Sequence, residues 1–136
     1  MERLRLAMRT GDKEESLKQF AEVRKKSLST IQKIELLMDE ARLGMFTNDM
    51  VLMQSKIKDA KTMVEDGGDW DKRNRIKVYD GILALRLRDF KTASSLFLDV
   101  CPTFASTECC TYTELIFYAA VTNIMVVDRP TLFKKV

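Results

Sequence analysis

The apolar residues of this chain recur in steps of three and four, and that spacing limits the fold more than any motif does. Ile31, Ile34, Met38, Ala41 and Met45 step 3, 4, 3, 4, while Met53, Ile57, Ala60 and Val64 step 4, 3, 4. A helix of 3.6 residues per turn lays each set along one stripe; a strand would need strict alternation. Punctuation agrees with helices. Only 5 Gly and 2 Pro occur in 136 residues, too few for a sandwich or barrel that turns every ~8–12 residues. Apolar and charged residues, at 46% and 32%, are too well mixed for a disordered chain. The expected fold is all-α.

Caps and breakers divide the pattern. A short helix over 1–9 stops at Thr10-Gly11. Asp12 is placed to cap the next one, whose first turn holds Glu14 and Glu15, favourable to the helix dipole. That helix is expected to turn Leu17, Phe20 and Ala21 inward and to fade near Ser27–Ser29. The Ile31–Met45 stripe defines a third helix, and Asn48-Asp49 reads as a turn and cap before the Met53–Val64 stripe. Gly67-Gly68 suits a left-handed helix end, and Asp69 suits the start of a helix lined by Ile76, Tyr79, Leu83 and Leu87. Arg88-Asp89 turns the chain into a helix marked by Phe90, Ala93, Phe97 and Val100, which Cys101-Pro102 closes. A seventh helix is expected over roughly 108–127, and Pro130 can open an eighth.

Such helices with short connections run antiparallel to their neighbours. Gly81, twelve residues before Ala93, with Phe90 and Phe97 three before and four after it, fits the tetratricopeptide pattern of small residues and aromatics at a helix crossing. Lys77 and Asp80 stand where that consensus has Trp and Leu. Leu43-Gly44 and Ala60 form a looser copy with a gap of sixteen. The expectation is a single domain over 1–136, a right-handed superhelix of antiparallel helix pairs built from degenerate tetratricopeptide-like repeats.

Residue types exclude much chemistry. With no histidine, neither a Ser-His nor a Cys-His nucleophile pair can be built, and no zinc site can use imidazole. Cys101, Cys109 and Cys110 are too few for a zinc site made of Cys alone. Cys109-Cys110 lacks the two-residue spacer of redox motifs, so plain thiols are expected. Their odd number and the charged, helical opening MERLRLAMRT argue for a reducing compartment without a leader peptide. Gly67-Gly68-Asp69 precedes a helix, yet it matches no phosphate-loop or dinucleotide fingerprint. Asp66, Asp69 and Asp71 would also repel an anion, and the twelve-residue calcium loop is missing. Met38, Met45 and Met53 fall on inward stripes, as core fillers do. Neither cofactor, metal nor catalytic residue is expected.

Charge is unevenly placed. The net charge is +3, from 23 basic and 20 acidic residues, but no Lys or Arg lies between Thr92 and Val127. Lys72, Arg73, Arg75 and Lys77 form a basic run that could touch nucleic acid. It has no interleaved aromatics and is flanked by Asp69, Asp71 and Asp80, so a solvated face or a protein-contact patch is expected instead. Leu115–Val127 reads LIFYAAVTNIMVV, apolar on every side. Thirteen residues are too few to span a bilayer, which takes ~20, so something must pack over them: further chain, a partner, or a second copy.

The stretch GGDWDKRNRIKVY at Gly67–Tyr79, with RDFKTASSLFLD at Arg88–Asp99, resembles the non-ATPase regulatory subunit 6 family of the proteasome lid. GDKEESLKQF near the start, ARLGMF at Ala41–Phe46 and DRPTLFKKV at the end are similar to that family too. The resemblance implies a tetratricopeptide-like helical stack that is followed, in family members, by a PCI domain. This chain stops at Val136, about where that domain would begin, so the PCI domain is expected to be absent. A non-catalytic scaffold role in ubiquitin-dependent degradation follows. The implied partners are other lid subunits and the ATPase ring, and the implied compartments are cytoplasm and nucleus.

Other readings stay open: a stand-alone tetratricopeptide-like peptide-binding module, the paralogous signalosome subunit and, last, an RNA binder. Neither nucleic acid nor membrane is an expected partner, whereas self-association through residues 115–127 is. For protein contacts the expected residues are Trp70 with Arg73 and Arg75, an aromatic beside arginines being common hot-spot chemistry. Trp70 equally suits packing over the turn at a helix start.

Overall fold

The computed structural model describes residues 6, 9–26, 28–65 and 69–126. The fold is all-α, with no strand among the described residues. It divides into two compact units, Met1–Lys72 and Arg73–Val136. The expected Gly67-Gly68 helix end, most of the 1–9 helix and the helix opened by Pro130 lie outside the described residues. Arg9 and Thr10 are helical, and Gly11 follows with φ +74°, a left-handed turn at the expected stop.

In the first unit, α1 (Lys13–Arg24) starts where Asp12 accepts a hydrogen bond from the Glu15 amide. Its inward residues are Ser16, Phe20 and Val23, not the expected Leu17, Phe20 and Ala21. The Ser16 hydroxyl donates to the Asp12 carbonyl at 2.6 Å. That bond lets a small polar residue occupy the inner meridian and moves Leu17 a quarter-turn outward. Next, α2 (Thr30–Phe46) opens with a reciprocal capping box between Ser29 and Gln32. Ile34, Met38, Ala41 and Met45 are buried as expected, and so are Leu36, Leu37 and Leu43. Buried on more than one side, α2 is the central helix of its unit. Ile31 is the exception at 60% exposed, because it sits in the first turn, beyond the packed part of the helix. Phe20, Val23, Leu36 and Leu43 form one core cluster, with Leu28 against it.

The helix α3 (Met50–Glu65) buries Met53, Ile57, Ala60 and Val64. Only residues 47–49 separate it from α2, so the two are antiparallel neighbours. At Gly44 a Cβ would lie 2.9 Å from the Met53 backbone nitrogen and 3.0 Å from the Asp49 carbonyl oxygen. No side chain fits there. The buried Glu40 carboxylate of α2 meets Arg24 of α1 at 2.6 Å and Lys56 of α3 at 3.0 Å.

The helix α4 (Trp70–Arg86) starts in the last residues of the first unit, and its second-unit part buries Ile76, Tyr79 and Leu83. The expected Leu87 is half exposed, since the helix ends at Arg86 and Leu87 belongs to the turn. Ala93, Phe97 and Val100 of α5 (Phe90–Val100) are fully buried. Gly81 faces the Phe97 ring, where a Cβ would lie 2.7 Å from Cε1. Cys101–Thr103 form one 3₁₀ turn around Pro102. The last described helix, α6 (Tyr112–Val126), starts four residues later than expected. Its start is fixed by Thr111 and Glu114, which exchange backbone-to-side-chain hydrogen bonds at 2.7 and 3.2 Å.

The α2–α3 and α4–α5 turns are the same turn. Asn48 and Arg88 are left-handed, with φ of 56° and 61°. Thr47 bonds back to Leu43 and Asp49 to Gly44, as Leu87 does to Leu83 and Asp89 to Ala84. Asp49 and Asp89 then cap the following helices through Leu52 and Thr92. Each pair of positions differs by forty (43 and 83, 49 and 89). Aligned this way, Ala41 matches Gly81 and Met53 matches Ala93. The gap of twelve thus holds in both copies, and the expected match of Gly44 with Ala60 is out of register.

Phe97→Ala should cost ~3–5 kcal/mol in urea unfolding, as for a fully buried Phe. Gly44→Ala should destabilise by ~1–3 kcal/mol through overpacking, despite the ~1 kcal/mol that Ala gains over Gly within a helix; a stabilised variant would contradict the close approach. Arg88→Gly should raise stability by ~1 kcal/mol by relieving a left-handed non-glycine residue.

Candidate protein-contact surface

Helix α4 carries the basic run, and its neighbours decide which cations face outward. Lys72 pairs with Glu35 inside the first unit. Within the second unit, Arg75 sets Nε and one Nη on the same Glu108 oxygen at 3.0 and 2.6 Å, and Lys77 pairs with Asp99. Three of the four cations are therefore held by carboxylates of the chain itself. Of the expected contact residues, Trp70 is 63% exposed and Arg73 is exposed, whereas the Arg75 side chain is mostly covered and tied to the loop before α6. The sequence could not show this pairing, because Glu108 is 33 residues away.

The second surface is α6. Its inner face carries Leu115, Ala119, Thr122 and Asn123. Asn123 accepts from the buried Ser94 hydroxyl at 3.0 Å and donates to the Ala119 carbonyl at 2.6 Å. Thr122 donates to the Tyr118 carbonyl at 2.7 Å. The inner polar atoms are thus satisfied at fixed positions. The outer face is apolar: Phe117 is 63% and Ile124 68% exposed, with Ile116, Val121 and Met125 beside them. Burial on all sides was expected, and one side is uncovered among the described residues.

The cysteines are free thiols. Burial pushes the Cys110 thiol up to about 11, with the Glu114 and Glu108 charges adding to it, and burial also raises Cys101. Such thiols are poor nucleophiles at neutral pH. Among the described residues no group of three potential ligands could hold a metal ion, and no helix is long and apolar enough to cross a membrane.

An all-helical repeat chain with exposed aromatic and apolar patches defines a class, that of helical-repeat proteins. The particular family follows from comparison with known proteins. The family model for 26S proteasome subunit RPN7 matches residues 1–135, and the chain belongs to that family. It is 39% identical over 129 residues to the 26S proteasome non-ATPase regulatory subunit 6 of Oryza sativa, covering 95% of this chain and 33% of the relative. It is 40% identical over 126 residues to the 26S proteasome regulatory subunit RPN7 of Saccharomyces cerevisiae, covering 93% and 29%. The Caenorhabditis elegans subunit 6 is 37% identical over 126 residues. The chain spans about a third of the length of these curated relatives.

Three helix-cap carboxyls are held more acidic than their ordinary values. Hydrogen bonds from the Lys13 side chain and then the Leu52 amide hold the Asp49 carboxyl below its ordinary 3.8. The Thr92 hydroxyl and amide do the same for Asp89, and the Thr111 amide and hydroxyl hold Glu114 below 4.5. Carboxyls more acidic in the folded state contribute fully above their unfolded values, and that contribution is lost as pH falls through the lower folded ones. Helicity followed by circular dichroism should stay level on acidification until about pH 4 and fall below it. Loss already near neutrality would show that these caps do not govern it.

Proposed function

We propose that this chain is a non-catalytic structural part of the proteasome regulatory particle lid, whose helices make protein–protein contacts in ubiquitin-dependent protein degradation. The observation that carries the reading is the family match along 135 residues, together with curated relatives named as proteasome regulatory subunits. Its partners are other lid subunits and the ATPase ring, and its compartments the cytoplasm and nucleus. Residues 1–136 act as one helical-repeat domain in this reading.

Trp70 and Arg73 supply the contact chemistry in this reading. Both are exposed, and tryptophan and arginine are enriched among the few residues that dominate binding energies. Arg75 belongs to the same helix but acts by holding the loop at Glu108 in place. A stand-alone peptide clamp would need convergent free cations, and the pairing of Lys72, Arg75 and Lys77 with carboxylates of the chain speaks against it.

A tagged chain purified under native conditions from its own cells should bring down lid and ATPase-ring subunits. Trp70→Ala and Arg73→Ala should each weaken that recovery, by ~1–2 kcal/mol in a binding assay, with the melting temperature unchanged. Arg75→Ala should lower the melting temperature instead. Wild-type recovery by both contact variants would overturn the residue assignment, and a pull-down without proteasome subunits would overturn the lid reading.

A further inference from the structure

Helix α6 inverts the usual order of an amphipathic helix. Its inner face carries Leu115, Ala119, Thr122 and Asn123, while Phe117, Val121 and Ile124 are exposed. A surface helix normally turns its apolar stripe to the core. The hydrophobic effect rewards apolar area and has no direction. Area alone would therefore favour a half-turn of α6 that buries Phe117, Val121 and Ile124 and exposes Asn123. A contact with direction has to hold the observed rotation.

One polar contact between helices has that property. The Ser94 hydroxyl of α5 donates to Asn123 Oδ1 at 3.0 Å, and the two residues are only 3% and 1% exposed. Asn123 Nδ2 donates to the Ala119 carbonyl at 2.6 Å, so the amide is pinned to its own helix at one end and to α5 at the other. Thr122 is as deeply buried but differs in kind. Its hydroxyl donates to the Tyr118 and Ala119 carbonyls at 2.7 and 3.2 Å, bonds within α6 that travel with the helix when it turns. A half-turn would keep those bonds and break the one to Ser94. One turn away, the Phe97 and Tyr118 rings lie 6.0 Å apart and mark the packing that this rotation produces.

We propose that the Ser94–Asn123 hydrogen bond is a rotation lock, a buried polar pair that selects which face of α6 meets α5 and so decides which apolar residues stay outside. A single buried Asn sets register in coiled coils in the same way, at some cost in stability. The lock lies wholly within the second unit, and it holds or fails independently of the lid reading.

Nuclear magnetic resonance and thiol labelling of the full chain test it. In the wild type, nuclear Overhauser contacts between Phe97 and Tyr118 should report one packing. Phe117→Cys should react quickly with a thiol reagent, its own peptide being followed by mass spectrometry to separate it from Cys101, Cys109 and Cys110. Asn123→Leu removes the lock, while the Ser94 hydroxyl can turn to the carbonyl of Phe90 four residues earlier, so circular dichroism should stay helical. The α6 methyl signals should nevertheless double or broaden, the Phe97–Tyr118 contacts should weaken, and labelling of Phe117→Cys in that background should slow several-fold. Ser94→Ala combined with Asn123→Leu should show the same losses at a urea midpoint no lower than that of Asn123→Leu, since no partner of the pair is left buried and unmatched. Thr122→Val should leave both readouts as in the wild type. One sharp set of signals with unchanged labelling in Asn123→Leu and in the double variant would mean that apolar packing alone fixes the rotation, and overturns the proposal. Equal disturbance by Thr122→Val overturns it too, because loss of any buried polar group would then loosen α6. Unfolding of both Asn123 variants would assign the pair to holding the fold and not to choosing a face, which overturns it as well.

Discussion

Two helix pairs owe their closeness to two missing side chains. At Gly44 the α3 backbone comes within 2.9 Å of where a Cβ would stand, and at Gly81 the Phe97 ring comes within 2.7 Å. The same helices bury Ile34, Met38, Ala41, Met53 and Ile57 in one unit and Tyr79, Leu83, Ala93 and Phe97 in the other. Dispersion falls away over fractions of an ångström, so a wider spacing would weaken contacts along the length of each pair. The ion pairs come after this packing. Glu40, for instance, is covered only because three helices already converge around it, and its two cations then keep a buried carboxylate tolerable.

Where local chemistry decides, the sequence is a good guide. Asp12, Asn48-Asp49 and Arg88-Asp89 mark helix boundaries because a carboxylate that accepts an orphan amide acts within three residues. The Met53–Val64 stripe is buried as its spacing implies, since α3 presents one face. The errors fall where tertiary packing selects among apolar residues. Leu17, Ile31 and Leu87 are as apolar as their buried neighbours, but Ser16 takes the inner meridian beside Leu17, and Ile31 and Leu87 lie beyond the packed parts of their helices. Thr111-x-x-Glu114 has the signature of a capping box and was legible in principle; the expected 108–127 span begins upstream of it. The repeat register was hidden for another reason. The shared feature is a turn held by backbone hydrogen bonds, which leaves no residue-type trace at Arg88.

The basic run and the apolar helix exchange roles on folding. Lys72, Arg75 and Lys77 look like a binding patch in one dimension, yet in three they fasten α4 to carboxylates contributed by residues 22 to 37 positions away. Leu115–Val126 looks like core, yet half of it faces outward. Its Asn123 and Thr122, which look like interruptions of an apolar run, are the anchored side. Polar groups with fixed partners specify position more sharply than interchangeable apolar ones, so the inner face sets the rotation of α6 and thereby aims the outer one. In this member of the RPN7 family the charged side chains close ion pairs within each unit, while the apolar helix keeps one face exposed.

The doubled duty of Asp49 and Asp89 has a consequence for how such a chain can change over evolutionary time. Each of these residues bonds backward to finish one helix and forward to begin the next, with no spare residue between. Most surface loops absorb insertions easily. Here a single added residue would turn the following helix by about 100°, taking Met53 and Ile57, or Ala93 and Phe97, off the line of the glycine opposite. Substitutions at these turns are therefore far more affordable than changes in length. Relatives should drift in composition at 47–49 and 87–89 while keeping the count of residues fixed, so that length at these two places becomes a more durable mark of the repeat than any amino acid in it.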